Sequence, residues 1–230
     1  MKKLIFCVLM VLLLTAASAM ADSTISVNGT GEVRISADTA VISLGVNARN
    51  QDVLEAQQEA NQSIASIRTA MSENGVKEED ITTEFINIYA VYDYVNGQEL
   101  LSAYNASSTL AIRVTDMDSV GRLIDAAFAA GANTLNGISF SASDTSEAEA
   151  EALRIAVKDA QTKAAILADA AGLKITGVKT ISENGIYNYE NSVRNSNAKM
   201  VTEAAADSGT VVQAAKLIVN ATVSIEFTAE

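Results

Sequence analysis

Apolar and polar residues alternate over two segments near the start of the chain. Residues 24–35 and 40–48 place an apolar side chain or a glycine at every second position. This is the pattern of a strand with one buried face. The break at Ser36-Ala37-Asp38 is short, so the pattern predicts that the two strands pair as a hairpin.

Helical spacing follows the second strand. Apolar residues recur every three or four positions from Val53 to Met71, which indicates a helix with one buried stripe. Asp52 stands where a helix N-cap is expected, and Gly75 has the residue type that ends helices in a left-handed conformation. The sequence therefore predicts a helix bounded by these two residues.

A hairpin with a two-residue turn is predicted for residues 81–115. Asn96-Gly97 is the preferred pair for a type I′ turn between two strands. With that turn, paired positions sum to 193. Tyr89 is then expected to face Tyr104, and Ile81 to face Ile112.

The second half of the chain continues the alternation of helices and strands. A long alanine-rich helix is expected to bury one stripe of side chains, which are Leu153, Val157, Ala160, Ala164, Leu167 and Ala171. In a shorter helix, Val120, Ile124, Ala127 and Phe128 are expected to point inward. The predicted elements are a helix at 117–130, a strand at 134–142, a helix at 147–171, a strand at 174–183, a flexible loop at 184–209 and a final strand at 211–229.

The order of these elements sets the fold class. Strands joined by hairpins pair antiparallel, so the sequence predicts an α+β fold with antiparallel sheets and three helices. The chain contains no proline and no glycine-rich linker. We therefore expect residues 22–230 to form one unit built of two α/β halves.

The first 21 residues have the layout of a cleaved secretory signal peptide. Lys2 and Lys3 precede an apolar run at 4–14, and an A-x-A site at 19–21 follows. The run is too short for a transmembrane anchor, which needs about 20 residues. A lipoprotein is the other alternative, but Cys7 follows a bulky phenylalanine. The expectation is a periplasmic or otherwise extracytoplasmic protein with no transmembrane span after signal removal.

Residues 22–230 carry a strong negative charge. The chain has 16 Lys and Arg against 28 Asp and Glu, and two of the lysines lie in the leader, which leaves 14 − 28 = −14. Binding to nucleic acid needs clustered positive charge, so this balance argues against nucleic acid as a partner. It also disfavours anionic membrane surfaces.

The residue types that carry most hydrolytic and metal chemistry are missing. The chain has no histidine, and Cys7 of the leader is its one cysteine. This removes the commonest ligands of zinc, copper and iron, and the nucleophilic mechanisms that use histidine. Two-carboxylate and Ser-Lys mechanisms remain open. We expect no cofactor, no metal and no catalytic residues.

Four short motifs have a structural interpretation beside a functional one. Gly29-Thr30-Gly31 precedes a strand rather than a helix, so it indicates close backbone approach and not a phosphate loop. Ser196-Asn197-Ala198-Lys199 matches a Ser-x-x-Lys pattern without its partner motifs. The acidic groups at 116–118 and 147–151 have calcium-ligand chemistry, but they stand at helix starts, where carboxylates cap free N–H groups.

The tyrosines are the most suggestive candidates for an interaction surface. Tyrosine suits interfaces because its body is apolar and its tip is polar. The alternative is that they form an ordinary cross-strand pair and cover a core edge. The candidate interface residues are Tyr89, Tyr92, Tyr94, Tyr104, Tyr187 and Tyr189.

Several segments resemble the SIMPL domain family, also called DUF541. The resemblance runs in order over residues 22–186, with one departure, because Ala37-Asp38 stands where the family usually has Pro-Asp. The loss of the proline is expected to loosen a turn and to leave the fold intact. The similar segments are residues 25–33, 37–40, 45–46, 80–83, 104–107, 131–133, 137–140, 156–160 and 163–164.

The resemblance implies an exported protein in a group of periplasmic immunogenic and outer-membrane-associated proteins. It further implies assembly into large rings and a stress-protective role, and it brings no catalytic residues. The first hypothesis is a non-enzymatic envelope protein that self-assembles or binds another envelope protein, with edges offered by 81–115 and 211–229. The alternative is a small-ligand binding protein or unusual enzyme, with a cleft between its halves, a lid at 184–209 and contacts from Tyr187 or Tyr189.

Overall fold

The computed structural model describes residues 23–189, 209–213 and 216–230. Single turns of 3-10 helix stand at Glu78–Asp80 and Met117–Ser119. The strands are β1 (Ser23–Ser36), β2 (Thr39–Asn50), β3 (Ile81–Val95), β4 (Gln98–Val114), β5 (Thr134–Ser141), β6 (Ile175–Tyr189) and β7 (Lys216–Ala229). The helices are α1 (Val53–Glu73), α2 (Val120–Ala129) and α3 (Ser146–Ala171).

Two antiparallel sheets and three helices make up the described part of the chain, which confirms the predicted α+β class. One sheet has the strand order β1-β7-β6, and the other has the order β3-β4-β2-β5. The predicted hairpin of β1 with β2 is wrong, since the two strands lie in different sheets. None of Ser36, Ala37 and Asp38 has the positive φ that a tight hairpin turn requires.

The chain divides into two compact units, each with its own segments. Among the described residues, unit 1 comprises 23–31, 152–185 and 221–230, and unit 2 comprises 32–151 with the described part of 186–220. The core of unit 2 forms where α1 and α2 cover β2 and β4. Its largest fully buried side chains are Ile42, Leu44, Ile67, Met71, Leu110, Ile112, Val120 and Leu123. Each such side chain contributes about 1.5–3 kcal/mol of hydrophobic stabilisation.

Unit 1 is built on a close approach of α3 to β1. A Cβ added to Gly29 would lie 2.0 Å from the Ala156 carbonyl oxygen, and one added to Gly31 would lie 2.0 Å from that of Ala152. The prediction that a neighbouring backbone comes close to these glycines is therefore confirmed. The buried stripe of α3 is all alanine, at 148, 152, 156, 160, 164 and 168.

The predicted stripe of α3 is thus partly wrong. Leu167 is 49% exposed, and Ala171 is also exposed. Apolar periodicity favoured the largest side chains, but a helix this close to a strand has room only for methyl groups. Phe128 of α2, also expected inward, is 42% exposed.

Side chains of α3 cover the outer edge of β1. The Thr30 N–H donates to Asp159 Oδ2 at 2.9 Å, and Lys163 Nζ donates to the Asn28 carbonyl oxygen at 3.0 Å. Lys163 and Asp159 are themselves 2.7 Å apart. Together they satisfy backbone groups that a further strand would otherwise pair with.

The end of β6 lies further along the chain than predicted. The strand continues through 184–189, where the sequence indicated the start of a loop. The rest of that predicted loop, residues 190–208, lies outside the described residues. In the described segment 209–213, the Thr210 N–H donates to Asp125 Oδ2 at 2.9 Å, so this segment is held against α2.

Candidate interaction surface

The β3–β4 hairpin extends beyond the strand that supports it. Asn96 and Gly97 have φ values of 51° and 80°, which confirms the predicted two-residue turn. Strand β2 pairs with β4 only as far as Tyr104. Residues 98–103 therefore pair with β3 alone. We refer to residues 84–103, which include this unsupported part and the neighbouring stretch of the outer strand β3, as the hairpin arm.

Two bulges interrupt the register of the hairpin. Ile81 faces Ile112, as predicted, but Tyr89 faces Asn105 instead of Tyr104. Register shifts between Thr83 and Phe85, and again between Val91 and Tyr92, leave Glu84 and Ser102 without a residue opposite. The expected cross-strand tyrosine pair is therefore wrong, because the pairing is shifted by one residue between the two bulges and returns to the predicted register outside them.

Side chains of β2 hold both bulged residues. Ser43 Oγ donates to Glu84 Oε2 at 2.5 Å, and Arg49 donates to Ser102 Oγ at 3.1 Å. These contacts give each bulge a fixed place in the sheet. The bulges are therefore features of the folded arm and not local disorder.

Two of the predicted interface tyrosines have structural contacts. Asn105 Nδ2 donates to the Tyr89 hydroxyl at 2.8 Å, although the ring remains 48% exposed. Tyr104 is half-buried, and together with Ile88 it packs on a small cluster made of Ala48, Ala56, Ala60 and Ala106. Tyr104 thus belongs to the packing of the sheet against α1.

Most of the other large apolar side chains of the arm face solvent. Tyr94 is 78% exposed and Ile86 is 65% exposed. Residues 86, 88, 90, 92 and 94 alternate along β3, so they share the face on which Ile88 packs. The exposed large apolar residues of the arm are Phe85, Ile86, Tyr89, Tyr92, Tyr94, Val95, Leu100 and Leu101.

Sequence reasoning predicted three of these eight residues, all tyrosines. The five that it missed are Phe85, Ile86, Val95, Leu100 and Leu101. The available signal was that apolar side chains occur at both odd and even positions from 85 to 95. A strand that buries a single face alternates instead.

Within the described ranges, no strand pairs with the outer edge of β3, and the charged residues of the arm are all acidic. Strand β3 is the outer strand of its sheet. The arm contains Glu84, Asp93 and Glu99 and no lysine or arginine. An outer strand with exposed apolar side chains offers backbone hydrogen bonds and apolar contact to a partner.

The other candidate interface residues lie on a different sheet. Tyr187 is on β6 and is 54% exposed. The backbone of Tyr189 ends the same strand, and its side chain lies outside the described residues. The proposed edge at 211–229 is wrong, because β7 is the central strand of its sheet and has a neighbour on both sides.

One residue of each acidic group that had calcium-ligand chemistry makes a hydrogen bond at the start of a helix. Asp116 Oδ1 accepts from the Asp118 N–H at 3.2 Å, and Glu149 accepts from Thr145 Oγ1 at 2.6 Å. Within the described ranges, no group of three or more His, Cys, Asp or Glu side chains is placed to hold a metal ion. The Ser196 and Lys199 motif lies outside those ranges.

Hydrogen bonds explain the titration behaviour of four aspartates. The pKa values of Asp38, Asp125 and Asp144 are lowered chiefly because their carboxylates accept hydrogen bonds, from Ser143, Thr210 and Ser146 respectively. The pKa of Asp159 is lowered chiefly by Lys163. Asp38, Asp125 and Asp159 each join separate segments of the fold, and Asp144 accepts from Ser146 at the start of α3, so all four have structural roles.

One cleft of about 400 Å³ lies within unit 2. Its charged lining is mixed, because Lys77, Arg113 and Arg122 share it with Glu79, Asp80 and Asp116. Arg122 donates to Asn74 Oδ1 at 2.6 Å, and Lys77 lies 3.4 Å from Glu79. Neither sign of charge prevails in the cleft. Of the predicted lid at 184–209, residues 184–189 belong to β6, and residues 190–208 lie outside the described part of the chain.

Comparison with known proteins gives consistent matches. The family model described as "SIMPL: Protein of unknown function (DUF541)" matches residues 25–227. The chain is 28% identical to the "26 kDa periplasmic immunogenic protein" of Brucella melitensis biotype 1 over 208 residues, which cover 88% of this chain and 83% of the relative. It is 25% identical to the "Uncharacterized protein YggE" of Escherichia coli K12 over 165 residues, which cover 72% and 67%.

The helices give a separate finding about membranes. Among the described residues, no helix combines the length and the hydropathy that a membrane span needs.

Proposed function

The chain belongs to the SIMPL (DUF541) family, and from this premise we propose that it is a non-enzymatic periplasmic protein that assembles with copies of itself through the hairpin arm. The names of its relatives support the location, as does the leader-like pattern of residues 1–21. The exposed arm is the observation that carries the proposal of assembly.

Exposed large apolar side chains are concentrated in the arm. Eight large apolar side chains are exposed over residues 84–103. Monomeric soluble proteins rarely expose contiguous apolar patches beyond a few hundred Å². A standard interface buries about 800 Å² from each partner and is rich in aromatic residues. The arm has the composition of such an interface.

The chemistry of the chain supports a role without catalysis. Residues 22–230 contain neither histidine nor cysteine. The aspartates with lowered pKa values owe them to hydrogen bonds or ion pairs within the fold. An acid or base catalyst near neutral pH needs a shift in the opposite direction for a carboxyl group.

The proposal is tested by removing the exposed apolar side chains of the arm. In residues 22–230, Tyr92→Ser, Tyr94→Ser and Leu100→Ser together should convert an oligomer into a monomer, as measured by size-exclusion chromatography with light scattering. All three side chains face solvent, so the free energy of unfolding should change by less than about 1 kcal/mol.

A matched control replaces exposed apolar residues outside the arm. Phe128→Ser and Leu135→Ser remove side chains of similar exposure from α2 and β5. This control should assemble like the unchanged protein. The proposal fails if the unchanged protein is a monomer at every concentration, or if the arm variant assembles as the control does.

A further inference from the structure

The edges of the two sheets differ in their capacity to accept another strand. Asp159 and Lys163 cover the edge of β1 by bonding the N–H of Thr30 and the carbonyl of Asn28. Strand β5 has only eight residues, and Asn136 forms a bulge in it opposite Ser43 and Leu44 of β2. A short and irregular edge is a poor site for the addition of another strand. Strands β3 and β6 are the remaining outer strands.

These two strands match in length and in exposed apolar surface. Each is 15 residues long. Ile181 of β6 is 60% exposed and Val178 is 51% exposed, and Ile175 and Tyr187 are also exposed. Both edges can therefore offer a row of backbone groups flanked by apolar side chains, which is the chemistry of strand addition.

Charge disfavours the pairing of one arm with another arm. Each arm carries Glu84, Asp93 and Glu99 without a cation, so two arms would bring six carboxylates together (3 + 3 = 6). Residues 32–151 as a whole have six Lys and Arg against 19 Asp and Glu, or 6 − 19 = −13. Like charges placed opposite each other reduce affinity and act against a wrong partner.

Charge favours β6 as the partner of the arm. The described residues of unit 1 have five Lys and Arg against five Asp and Glu, or 5 − 5 = 0. Lys174 and Lys179 stand at β6, and both are exposed. Lys179 Nζ forms an ion pair with Glu226 Oε2 of β7 at 3.4 Å, and both side chains remain partly exposed. A neutral apolar edge with nearby lysines complements an acidic apolar one.

We infer that β3 of one copy pairs with β6 of a second copy, which joins the two sheets edge to edge. This inference rests on the proposed self-assembly and specifies its partner surface. Because the two edges are different, the contact is head-to-tail, and an open assembly keeps one free β3 edge at one end and one free β6 edge at the other until it closes. Such contacts build closed rings or open filaments in place of symmetric dimers.

Cysteine crosslinking tests the pairing, since residues 22–230 contain no cysteine of their own. Asn87→Cys marks the arm. Thr176→Cys, Thr180→Cys and Asn184→Cys mark three positions along β6, so that one comes within reach in any register. The arm variant, carrying a tag, is mixed with each β6 variant at low concentration, concentrated and treated with a short bifunctional maleimide.

The expected result is a tagged–untagged crosslinked dimer in at least one mixture and only background crosslinking in each variant alone. Strong crosslinking of Asn87→Cys with itself would show arm-to-arm pairing, which overturns this inference and leaves the proposed assembly standing. Assembly with no crosslink to any β6 position overturns the inference as well. Absence of assembly in light scattering would mean that the proposed function has failed first.

Discussion

At the scale of single residues, the Asp38 carboxylate fixes the junction between β1 and β2. It accepts from the Ser143 N–H at 2.9 Å, from Ser143 Oγ at 2.6 Å and from Thr39 Oγ1 at 2.9 Å. Ala37, at the position where the family usually has proline, is buried in the core of unit 2. Hydrogen bonds to Asp38 thus hold a junction that lacks the rigidity of proline.

This arrangement predicts acid sensitivity. The Ser143 hydroxyl and N–H lower the pKa of Asp38, so its ionised form stabilises the folded state at pH values above the ordinary pKa of the group. That stabilisation is lost as the pH falls below about 4 and through the lowered pKa. Asp38→Asn should therefore reduce the loss of stability between neutral and acidic pH, measured by urea unfolding at a series of pH values.

Asp93→Asn is the control for this experiment, because it removes the same charge from the exposed arm. It should leave the acid loss of stability close to that of the unchanged protein. A fall in stability as steep in Asp38→Asn as in the unchanged protein would contradict the role given to the carboxylate.

At the scale of elements, the packing of α3 on β1 depends on the absence of side chains. The two glycines of β1 lie directly against the helix backbone, and the facing helix positions are alanines. Packing at this distance leaves no space for even one additional methyl group.

Gly29→Ala should therefore destabilise the fold by about 3 kcal/mol, the upper end of the usual cost of overpacking. Its Cβ would lie 2.0 Å from the Ala156 carbonyl oxygen, so backbone has to move. Gly177→Ala on β6 is the matched control, since its nearest contact is Thr228 Oγ1 at 3.3 Å. It should change the free energy of unfolding by less than about 1 kcal/mol. Equal effects in urea unfolding would show that the close contact carries no strain.

Sequence patterns predicted the elements better than their pairing. The cap at Asp52, the turn at Asn96-Gly97 and the class of the fold are confirmed. The β1–β2 hairpin is wrong, because adjacency along the chain does not show which sheet a strand joins. The predicted register of the hairpin is wrong only between Phe85 and Val91, because two bulges that the sequence did not indicate shift the pairing there by one residue.

The sequence predicted an interaction surface that contains tyrosines, but not every predicted tyrosine lies on that surface. Tyr92 and Tyr94 are exposed on the arm, whereas Tyr104 packs against the alanine cluster beside α1. Sequence periodicity cannot distinguish these cases, since all three lie on alternating strands. The difference is the presence of a neighbouring strand. Strand β2 pairs with β4 as far as Tyr104, whereas Tyr92 and Tyr94 lie where the hairpin extends beyond β2.

At the scale of the whole molecule, charge and exposed apolar surface are unevenly distributed. Residues 32–151 hold a net charge of 6 − 19 = −13, and the arm within them is the most extended apolar surface of its sheet. Net charge of this size keeps copies apart at long range unless specific contacts oppose it. Salt screens this long-range repulsion, and it also screens the local attraction between the acidic arm and the lysines near β6.

Hydrogen exchange measured by mass spectrometry on residues 22–230, in dilute and in concentrated solution, tests the central claim most directly. Amides at a free strand edge exchange fast, and pairing with a second copy slows them. The account predicts that exchange in β3 slows on concentration, together with β6, while the already paired strands β2 and β4 change little. Exchange in β3 that is the same at both concentrations would contradict the claim that the hairpin arm is the surface of assembly.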